Sequence, residues 1–357
     1  MVTPVSILDD SEFRSKIDPS GLIERLQKFP EHCRQAWELS HKIDLPPEYS
    51  KAKNVVISGM GGSAIGGDLL SDLAALEPTL PIEIHRTYDL PAYADESSLI
   101  IATSYSGNTA ETLSGFRRAI ERNTMLVVIT SGGILAQEAV TANIPTFSFD
   151  FTGEPRSALG YSLIGPLGIM VRLGLISDKK PDLDDALESL TCQISQSIGH
   201  DVPAESNPAK ALALSLENKL PVIYGGGFFE GVARRWKTQF NENSKVWAQW
   251  EILPEAHHNA VSGLKLPKAL RDLATVILLR PEPIHPSIAW RYEITEELLE
   301  SVDISFCDVA GAGNNPLSQI LSTVLLGDYT SYYLALLQGI DPSPVSAIES
   351  IKQRLSE

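Results

Sequence analysis

The chain has 357 residues, more than a single hydrophobic core usually organises, so its length predicts two domains. Apolar residues make up 43% of the sequence and charged residues 21%, as in ordinary globular proteins. The formal net charge of −16 argues against nucleic acid or an anionic membrane surface as a partner, because both would repel the chain.

The three cysteines, Cys33, Cys192 and Cys307, lie far apart and form no Cys-x-x-Cys pair. This spacing argues against a disulfide framework and against a zinc site. We therefore predict a cytoplasmic location and no metal. The first twenty residues contain four acidic residues and no apolar core, so they do not have the pattern of a signal peptide.

We interpret residues 1–20 as an N-terminal arm. Residues 22–45 have a helical pattern interrupted at Pro30, and we expect them to pack outside the first sheet. Strands and helices then alternate. The predicted strands are 54–58, 81–85, 98–102, 125–129 and 145–148, and the predicted helices between them are 64–76, 108–122 and 133–140. Short strands separated by helices need crossover connections, so this pattern predicts an α/β fold with a parallel sheet.

An apolar helix is predicted after Arg156, and the charged, proline-containing stretch 177–182 then marks a domain boundary. The predicted domains are 21–178 and 179–357. In the second domain the predicted helices are 183–199, 207–217 and 344–355, and the predicted strands are 220–224, 275–279 and 302–306. Residues 316–340 are long and apolar but contain Asp328, so we interpret them as a buried helix and not a membrane span.

A strand, a glycine-rich turn and a helix occur twice in the chain. The first copy runs from the strand 54–58 into Gly59-Met60-Gly61-Gly62, and the second from 220–224 into Gly225-Gly226-Gly227. This repetition predicts a duplicated α/β unit whose second copy has lost its hydroxyl groups.

The turn after the third predicted strand reads Ser104-Tyr105-Ser106-Gly107-Asn108-Thr109 and leads into a helix. Its hydroxyl groups lie beside the free N–H groups and partial positive charge of a helix N-terminus, which suits a phosphate without any lysine. The turn Gly61-Gly62-Ser63 follows a neighbouring strand. We predict that the hydroxyls of Ser63, Ser104, Ser106 and Thr109 bind the phosphate of a small molecule, with Gly61 and Gly62 supplying pocket backbone.

Two alternatives exist for the first glycine turn. Gly59-Met60-Gly61-Gly62-Ser63-Ala64 fits the Gly-x-Gly-x-x-Ala form of a dinucleotide-binding turn, and glycines after a strand also occur for tight packing alone. A dinucleotide site needs an acidic residue at the end of the next strand, but that strand ends in His85-Arg86. The neighbouring hydroxyl groups favour a monophosphate.

Asn241-Glu242-Asn243 is the most unusual stretch of the second half. A carboxylate held by two amide dipoles in an aromatic neighbourhood suits a base that removes a proton next to a carbonyl group. The alternative is a helix-capping turn. His257 and His258 follow, and an imidazole acts as acid or base near neutral pH, whereas the alternative is a pair of surface histidines.

Arg156 and Lys352 have weaker signals. Arg156, near a helix start, is either a solvated surface charge or a guanidinium that stabilises a developing enediolate. Lys352 lies in the C-terminal helix, where a lysine normally complements the helix dipole.

The chain resembles the bifunctional phosphoglucose/phosphomannose isomerases of the sugar isomerase (SIS) superfamily, from about residue 20 to its C-terminus. The resemblance rests on these motifs: Gly59-Met60-Gly61-Gly62-Ser63, Ser104-Tyr105-Ser106-Gly107-Asn108-Thr109, Pro155-Arg156-Ser157, Asn241-Glu242-Asn243, His258-Asn259, Gly327-Asp328 and Lys352. It implies two SIS-type domains, each a parallel β-sheet flanked by helices on both faces. It also implies a homodimer with active sites at the domain and subunit junction.

The resemblance further implies interconversion of glucose 6-phosphate, and of mannose 6-phosphate, with fructose 6-phosphate through a cis-enediol, without a cofactor. Glu242 would be the base and Arg156 would stabilise the enediolate. His258, chosen over His257 because it precedes Asn259, would serve ring opening together with Lys352. The alternatives are a non-catalytic SIS regulator that binds a sugar phosphate and an isomerase of another sugar phosphate.

Overall fold

A computed structural model describes residues 4–356 of the chain. In this range nine strands form two sheets, and every pair of neighbouring strands is parallel. The strands are β1 (Asn54–Ser58), β2 (Ile82–His85), β3 (Ser98–Ser104), β4 (Met125–Thr130), β5 (Thr146–Ser148), β6 (Leu220–Gly226), β7 (Gln249–Leu253), β8 (Ala274–Arg280) and β9 (Ser305–Ala310).

The same range contains fifteen α-helices. They are α1 (Pro4–Asp9), α2 (Ser11–Ile17), α3 (Leu22–Gln27), α4 (Phe29–Ser40), α5 (Gly62–Ala74), α6 (Ala110–Glu121), α7 (Gly133–Thr141), α8 (Leu159–Arg172), α9 (Lys180–Gln193), α10 (Pro208–Ser215), α11 (Glu230–Glu242), α12 (Ala269–Leu273), α13 (Pro286–Glu300), α14 (Pro316–Leu337) and α15 (Ser346–Ser356).

The chain forms two compact units, each with one sheet. The five-stranded unit comprises Lys28–Ser189 and Gly313–Ile320. The four-stranded unit comprises the described residues up to Gln27, Leu190–Ala312 and the described residues from Leu321 onward. The division into sequence domains 21–178 and 179–357 stays a prediction.

The strand order of the first sheet is β2–β1–β3–β4–β5. The chain therefore moves outward from β1 in both directions, and the carboxyl ends of β1 and β3 are neighbours, with Ser58 beside Ala102. This is the edge at which open parallel sheets bind ligands. Each predicted strand of this sheet is present, and β3 extends two residues beyond its predicted end to Ser104.

Helices cover both faces of this sheet. On one face Val56 and Ile100 pack with Phe116 of α6 in a buried cluster. On the other face α5 lies so close that a Cβ at Gly67 would be 3.2 Å from the Ile57 side chain. Side chains alternate along a strand, so β1 contributes core residues to both faces.

The predicted interruption of the N-terminal helical segment lies at Lys28, between α3 and α4, and not at Pro30. Pro30 instead occupies the first turn of α4, where its missing N–H is not needed by the helix. The buried helix α8 packs against α4, and Arg172 Nη1 donates to the carbonyl oxygens of Ser40 and Ile43 at 2.6 and 2.8 Å.

The order of the second sheet, β7–β6–β8–β9, repeats the order β2–β1–β3–β4 of the first. The unit β6–α11 corresponds to β1–α5, in line with the predicted duplication. Two elements were not predicted from the sequence. Strand β7 is only partly buried, and the buried face of α13 is limited to Tyr292, Thr295 and Leu299. Strand β9 begins at Ser305, three residues later than predicted.

Helix α14 is, within the described range, the one helix long and apolar enough to cross a membrane, but 89% of its most apolar window is buried inside the protein. It packs closely against α11. A Cβ at Gly327 would be 2.4 Å from Trp236 Nε1, and that nitrogen donates to Thr323 O at 2.9 Å. Arg235 Nε and Nη2 donate to the two carboxylate oxygens of Asp328 at 3.1 and 2.6 Å, and both residues are buried.

We expect Asp328→Asn to destabilise the protein by about 3–5 kcal/mol, because it breaks a buried ion pair by neutralising one partner. The double variant Arg235→Met/Asp328→Leu should recover most of the loss, since both charges of the pair are then replaced by apolar side chains. Urea unfolding followed by circular dichroism measures both effects. The control is Arg118→Gln, which removes exposed ion pairs with Asp89 and Glu121 and should cost far less stability than Asp328→Asn. Equal losses for Asp328→Asn and Arg118→Gln would contradict the expectation.

A second prediction concerns His32 of α4, whose ring lies edge-on to Phe151 at 5.1 Å. Burial, aided by Lys28 and opposed by Glu31, lowers the pKa of His32 to about 4. The unfolded chain binds this proton near pH 6.5 and the folded chain only near pH 4, so stability is lost as the pH falls through this window. His32→Phe should flatten the free energy of unfolding between pH 6.5 and 4. Parallel pH profiles of the two proteins would show that His32 does not supply this dependence.

Candidate functional site

The turns after β1 and β3 lie together at the edge of the five-stranded sheet. The Tyr105 N–H donates to Ser63 Oγ at 3.2 Å. Ser104 Oγ lies 2.9 Å from Thr109 Oγ1 and accepts a hydrogen bond from Gly107 N–H at 3.1 Å. Ser63, Ser104 and Thr109, three of the residues predicted to bind phosphate, therefore form one local group.

The shape of the second turn is fixed by Gly107. Its φ of +65° is in the left-handed region, and a Cβ there would be 1.8 Å from Gly132 O, so only glycine fits. Ser131 Oγ donates to Tyr105 O at 2.6 Å and holds the other side of the turn. Ser106, the fourth predicted residue, is exposed, and its Oγ accepts a hydrogen bond from Asn108 N–H at 3.2 Å.

Two helices begin at this group of hydroxyls. Helix α5 begins at Gly62, after Gly61 with a φ of +50°, and α6 begins after Thr109. The first N–H groups of a helix have no partner within the helix and carry its partial positive charge. The first turn of α5 contains no acidic residue, whereas that of α6 contains Glu111. The arrangement can therefore hold an anion such as a phosphate group.

Arg156 belongs to the same unit. It is buried in a short 3₁₀ helix, Pro155–Ala158, that follows β5. A Cβ at Gly62 would lie 2.7 Å from Pro155 O and 2.9 Å from Arg156 N, so the two backbones touch. The structure thus places the backbone of Arg156 beside the turn that contains Ser63.

Glu242, in the four-stranded unit, is the last residue of α11 and is half-buried. The chain then turns through Lys245, whose φ is +57°. Lys245 Nζ donates to the carbonyl oxygens of Glu242 and Pro342 at 2.5 and 3.0 Å. The backbone of the predicted base is therefore tied to the segment that precedes α15.

The flanking asparagines fix the backbone. Asn241 Nδ2 donates to Val246 O at 2.8 Å, and Asn243 Nδ2 donates to Ser331 Oγ at 2.9 Å. These bonds of the two amide groups shape the turn, and the predicted contact of the amides with the Glu242 carboxylate stays a prediction. The predicted aromatic neighbourhood is present only in part, because Trp247 is 73% exposed.

The two neighbouring histidines differ in their surroundings. His257 is half-buried, and its Nε2 lies 2.8 Å from Thr295 Oγ1. Burial, together with Arg291 and His258, lowers the pKa of His257. His258 is exposed, and the next residue, Asn259, donates from Nδ2 to Glu255 Oε1 at 2.8 Å. A substrate can therefore reach the imidazole of His258, while that of His257 is engaged by α13.

Lys352 lies on the exposed helix α15. The apolar side chains of this helix are not covered, since Ile351 is 58% and Leu355 78% exposed. The predicted phosphate-binding residues and Arg156 thus belong to the five-stranded unit, and Glu242, His258 and Lys352 to the four-stranded unit.

The residues that hold the Glu242 turn were not predicted from the sequence; they are Ser244, Lys245 and Ser331. Ser244 and Ser331 are 87 positions apart, and no local pattern connects them. The one available signal was Gly327-Asp328, which belongs to the same stretch of α14 as Ser331. No group of three or more His, Cys, Asp or Glu side chains that could hold a metal ion occurs within residues 4–356.

The chain is similar to known proteins in sequence and in fold. Residues 205–355 match the family described as "Bacterial phospho-glucose isomerase C-terminal SIS domain". The bifunctional phosphoglucose/phosphomannose isomerase of Caldicellulosiruptor bescii is 38% identical, over 94% of this chain and 99% of its own length. The protein of the same name from Aquifex aeolicus is 35% identical, over 88% of this chain and 94% of its own length.

A crystal structure of a hypothetical protein from Thermus thermophilus has the same fold, with a TM-score of 0.71 at 17% identity, over 97% of this chain and 94% of that one. The predicted SIS-type α/β fold and the predicted family are thereby confirmed. This chain belongs to the family of bifunctional phosphoglucose/phosphomannose isomerases.

Proposed function

We propose that this chain is an aldose–ketose isomerase that interconverts glucose 6-phosphate, and mannose 6-phosphate, with fructose 6-phosphate. Family membership supports the reaction class. The observation that carries the substrate class is the cluster of hydroxyl groups of Ser63, Ser104 and Thr109 at the starts of α5 and α6. Such a cluster suits the phosphate of a small sugar, and the backbone of Gly61 and Gly62 and the exposed hydroxyl of Ser106 complete the phosphate site.

In the proposed mechanism His258 and Lys352 assist opening of the sugar ring. Glu242 then removes the proton from C2 of the aldose, and a cis-enediol forms as the C1 carbonyl becomes a hydroxyl. Return of the proton to C1, with loss of the O2 proton, gives the ketose. The Arg156 guanidinium stabilises the negative charge of the enediolate. Rotation about C2–C3 in the intermediate allows both C2 epimers to form. C1 is reduced as C2 is oxidised within one molecule, so no external oxidant or reductant is needed.

We also propose that the chain acts as a cytoplasmic homodimer with shared active sites. The uncovered apolar side of α15, including Ile351 and Leu355, supports a protein partner for this helix. The free state of Cys33, Cys192 and Cys307 supports a reducing compartment.

The proposal is tested by Glu242→Gln, a nearly isosteric change that removes the base. With fructose 6-phosphate as substrate, the unaltered protein should form both glucose and mannose 6-phosphate without added metal. Glu242→Gln should lower kcat by about 10²–10⁴-fold, the usual contribution of a general base. Chromatographic quantification of the two aldoses measures both results.

Glu300→Gln is the matched control, since Glu300 is an exposed glutamate that ends α13 as Glu242 ends α11. It should leave kcat unchanged. Binding of fructose 6-phosphate without any product would favour a sugar-phosphate regulator or another substrate, and glucose 6-phosphate without mannose 6-phosphate would exclude dual acceptance.

A further prediction separates the two histidines. His258→Ala should lower kcat by about 10²-fold, because it removes a group that moves protons during ring opening. His257→Ala should keep kcat within about threefold but lower stability by about 1 kcal/mol, because it loses the bond to Thr295. Steady-state kinetics and urea unfolding of both variants provide the measurement. The reverse order of kcat values would assign the role to His257.

A further inference from the structure

We propose that Ser331 of α14 is a positioning residue that holds Glu242 in place through Asn243 and Ser244. This inference rests on the proposed role of Glu242 as the base. Ser331 is buried and lies outside all the motifs that carry the family resemblance, and the proposal gives it a function in the reaction.

The contacts form a short network between α11 and α14. Asn243 Nδ2 donates to Ser331 Oγ at 2.9 Å, and that oxygen in turn donates to Asp328 O at 2.9 Å. Ser244 Oγ donates to Ser331 O at 2.7 Å. Asn243, Ser244 and Ser331 are all 0% exposed, so water cannot replace these partners.

Glu242 needs such support because of its place in the helix. It is the last residue of α11, where the final carbonyl groups lack partners and helices fray. The residues that follow leave the helix at once, with Lys245 already in the left-handed region. A carboxylate that removes a proton must lie within hydrogen-bond reach of it, and a displacement of about 1 Å can cost about 10²-fold in rate.

The network is separable from the packing of the two helices. Arg235 with Asp328 and Trp236 with Thr323 already join α11 to α14, well before the end of α11. Removing the Ser331 hydroxyl leaves both of these contacts in place. Its loss should therefore loosen the turn that carries Glu242 more than it weakens the fold.

Thr330 offers a matched control, because it is the neighbouring residue in α14 and is equally buried. Its Oγ1 donates only within its own helix, to Leu326 O at 2.8 Å. Thr330→Val and Ser331→Ala therefore each remove one buried hydroxyl from the same turn of α14, and only the second removes a contact to the Glu242 turn.

The experiment compares kcat, KM and the primary isotope effect for glucose 6-phosphate deuterated at C2, together with amide hydrogen exchange over residues 242–246. Ser331→Ala should lower kcat about tenfold or more, with KM within about threefold and a larger isotope effect, because proton transfer is slowed. Exchange over 242–246 should accelerate. Thr330→Val should keep kcat within about twofold and leave this exchange unchanged. Asn243→Ala, which removes the donor of the bond to Ser331, should behave like Ser331→Ala and serves if that variant fails to fold.

Equal kcat and equal exchange in Ser331→Ala and Thr330→Val, with Glu242→Gln inactive, would overturn the positioning role and leave the proposed function standing. Full activity of Glu242→Gln would overturn both. Unchanged exchange over 242–246 in both Ser331→Ala and Asn243→Ala would refute the positioning role whatever the activity.

Discussion

The proposed phosphate site depends first on the partial positive charge at the N-terminus of α5, whose first turn contains no acidic residue. With a formal net charge of −16, the protein as a whole repels a phosphorylated sugar, so attraction has to come from local geometry. Parallel strands deliver that geometry, because the carboxyl ends of β1 and β3 are neighbours and each strand leads directly into a helix. Ser104 lies at the end of β3 and Thr109 at the start of α6, so their hydroxyl groups are close enough to bind the same ligand.

The close approach of the two turns to neighbouring backbone also explains where glycine is required. A Cβ atom at Gly62 would lie 2.9 Å from the backbone nitrogen of Arg156, and at Gly107 the carbonyl of Gly132 leaves no room for a side chain. Both positions belong to the turns that present the hydroxyl groups. Close backbone contact therefore serves the site directly, since it brings the arginine segment and the two turns together within one unit.

Much of the five-stranded unit was predictable, because each strand is a short apolar run followed by a turn and an amphipathic helix. The turn that carries the hydroxyl groups was predictable because its residues, Ser104 to Thr109, are contiguous in the sequence. Strand β7 and helix α13 were not, because their partly buried residues do not form a clear alternating or helical pattern. The partners of Glu242 were not predictable either, as Asn243 and Ser331 meet only through the packing of α11 on α14.

The two copies of the duplicated unit use opposite ends of their first helix. In the first copy the hydroxyl groups of Ser63, Ser104 and Thr109 lie at the starts of α5 and α6. In the second, Gly227 is packed against Ile284, so an anion is disfavoured at the start of α11 on steric grounds. The proposed base is placed instead at the end of α11. A helix start supplies its own N–H groups to a ligand, whereas a helix end needs external contacts to stay ordered. The second copy therefore depends on α14 in a way that the first does not. The buried contacts of Arg235, Trp236 and Asn243 to α14 hold α11 and the turn at its end in place.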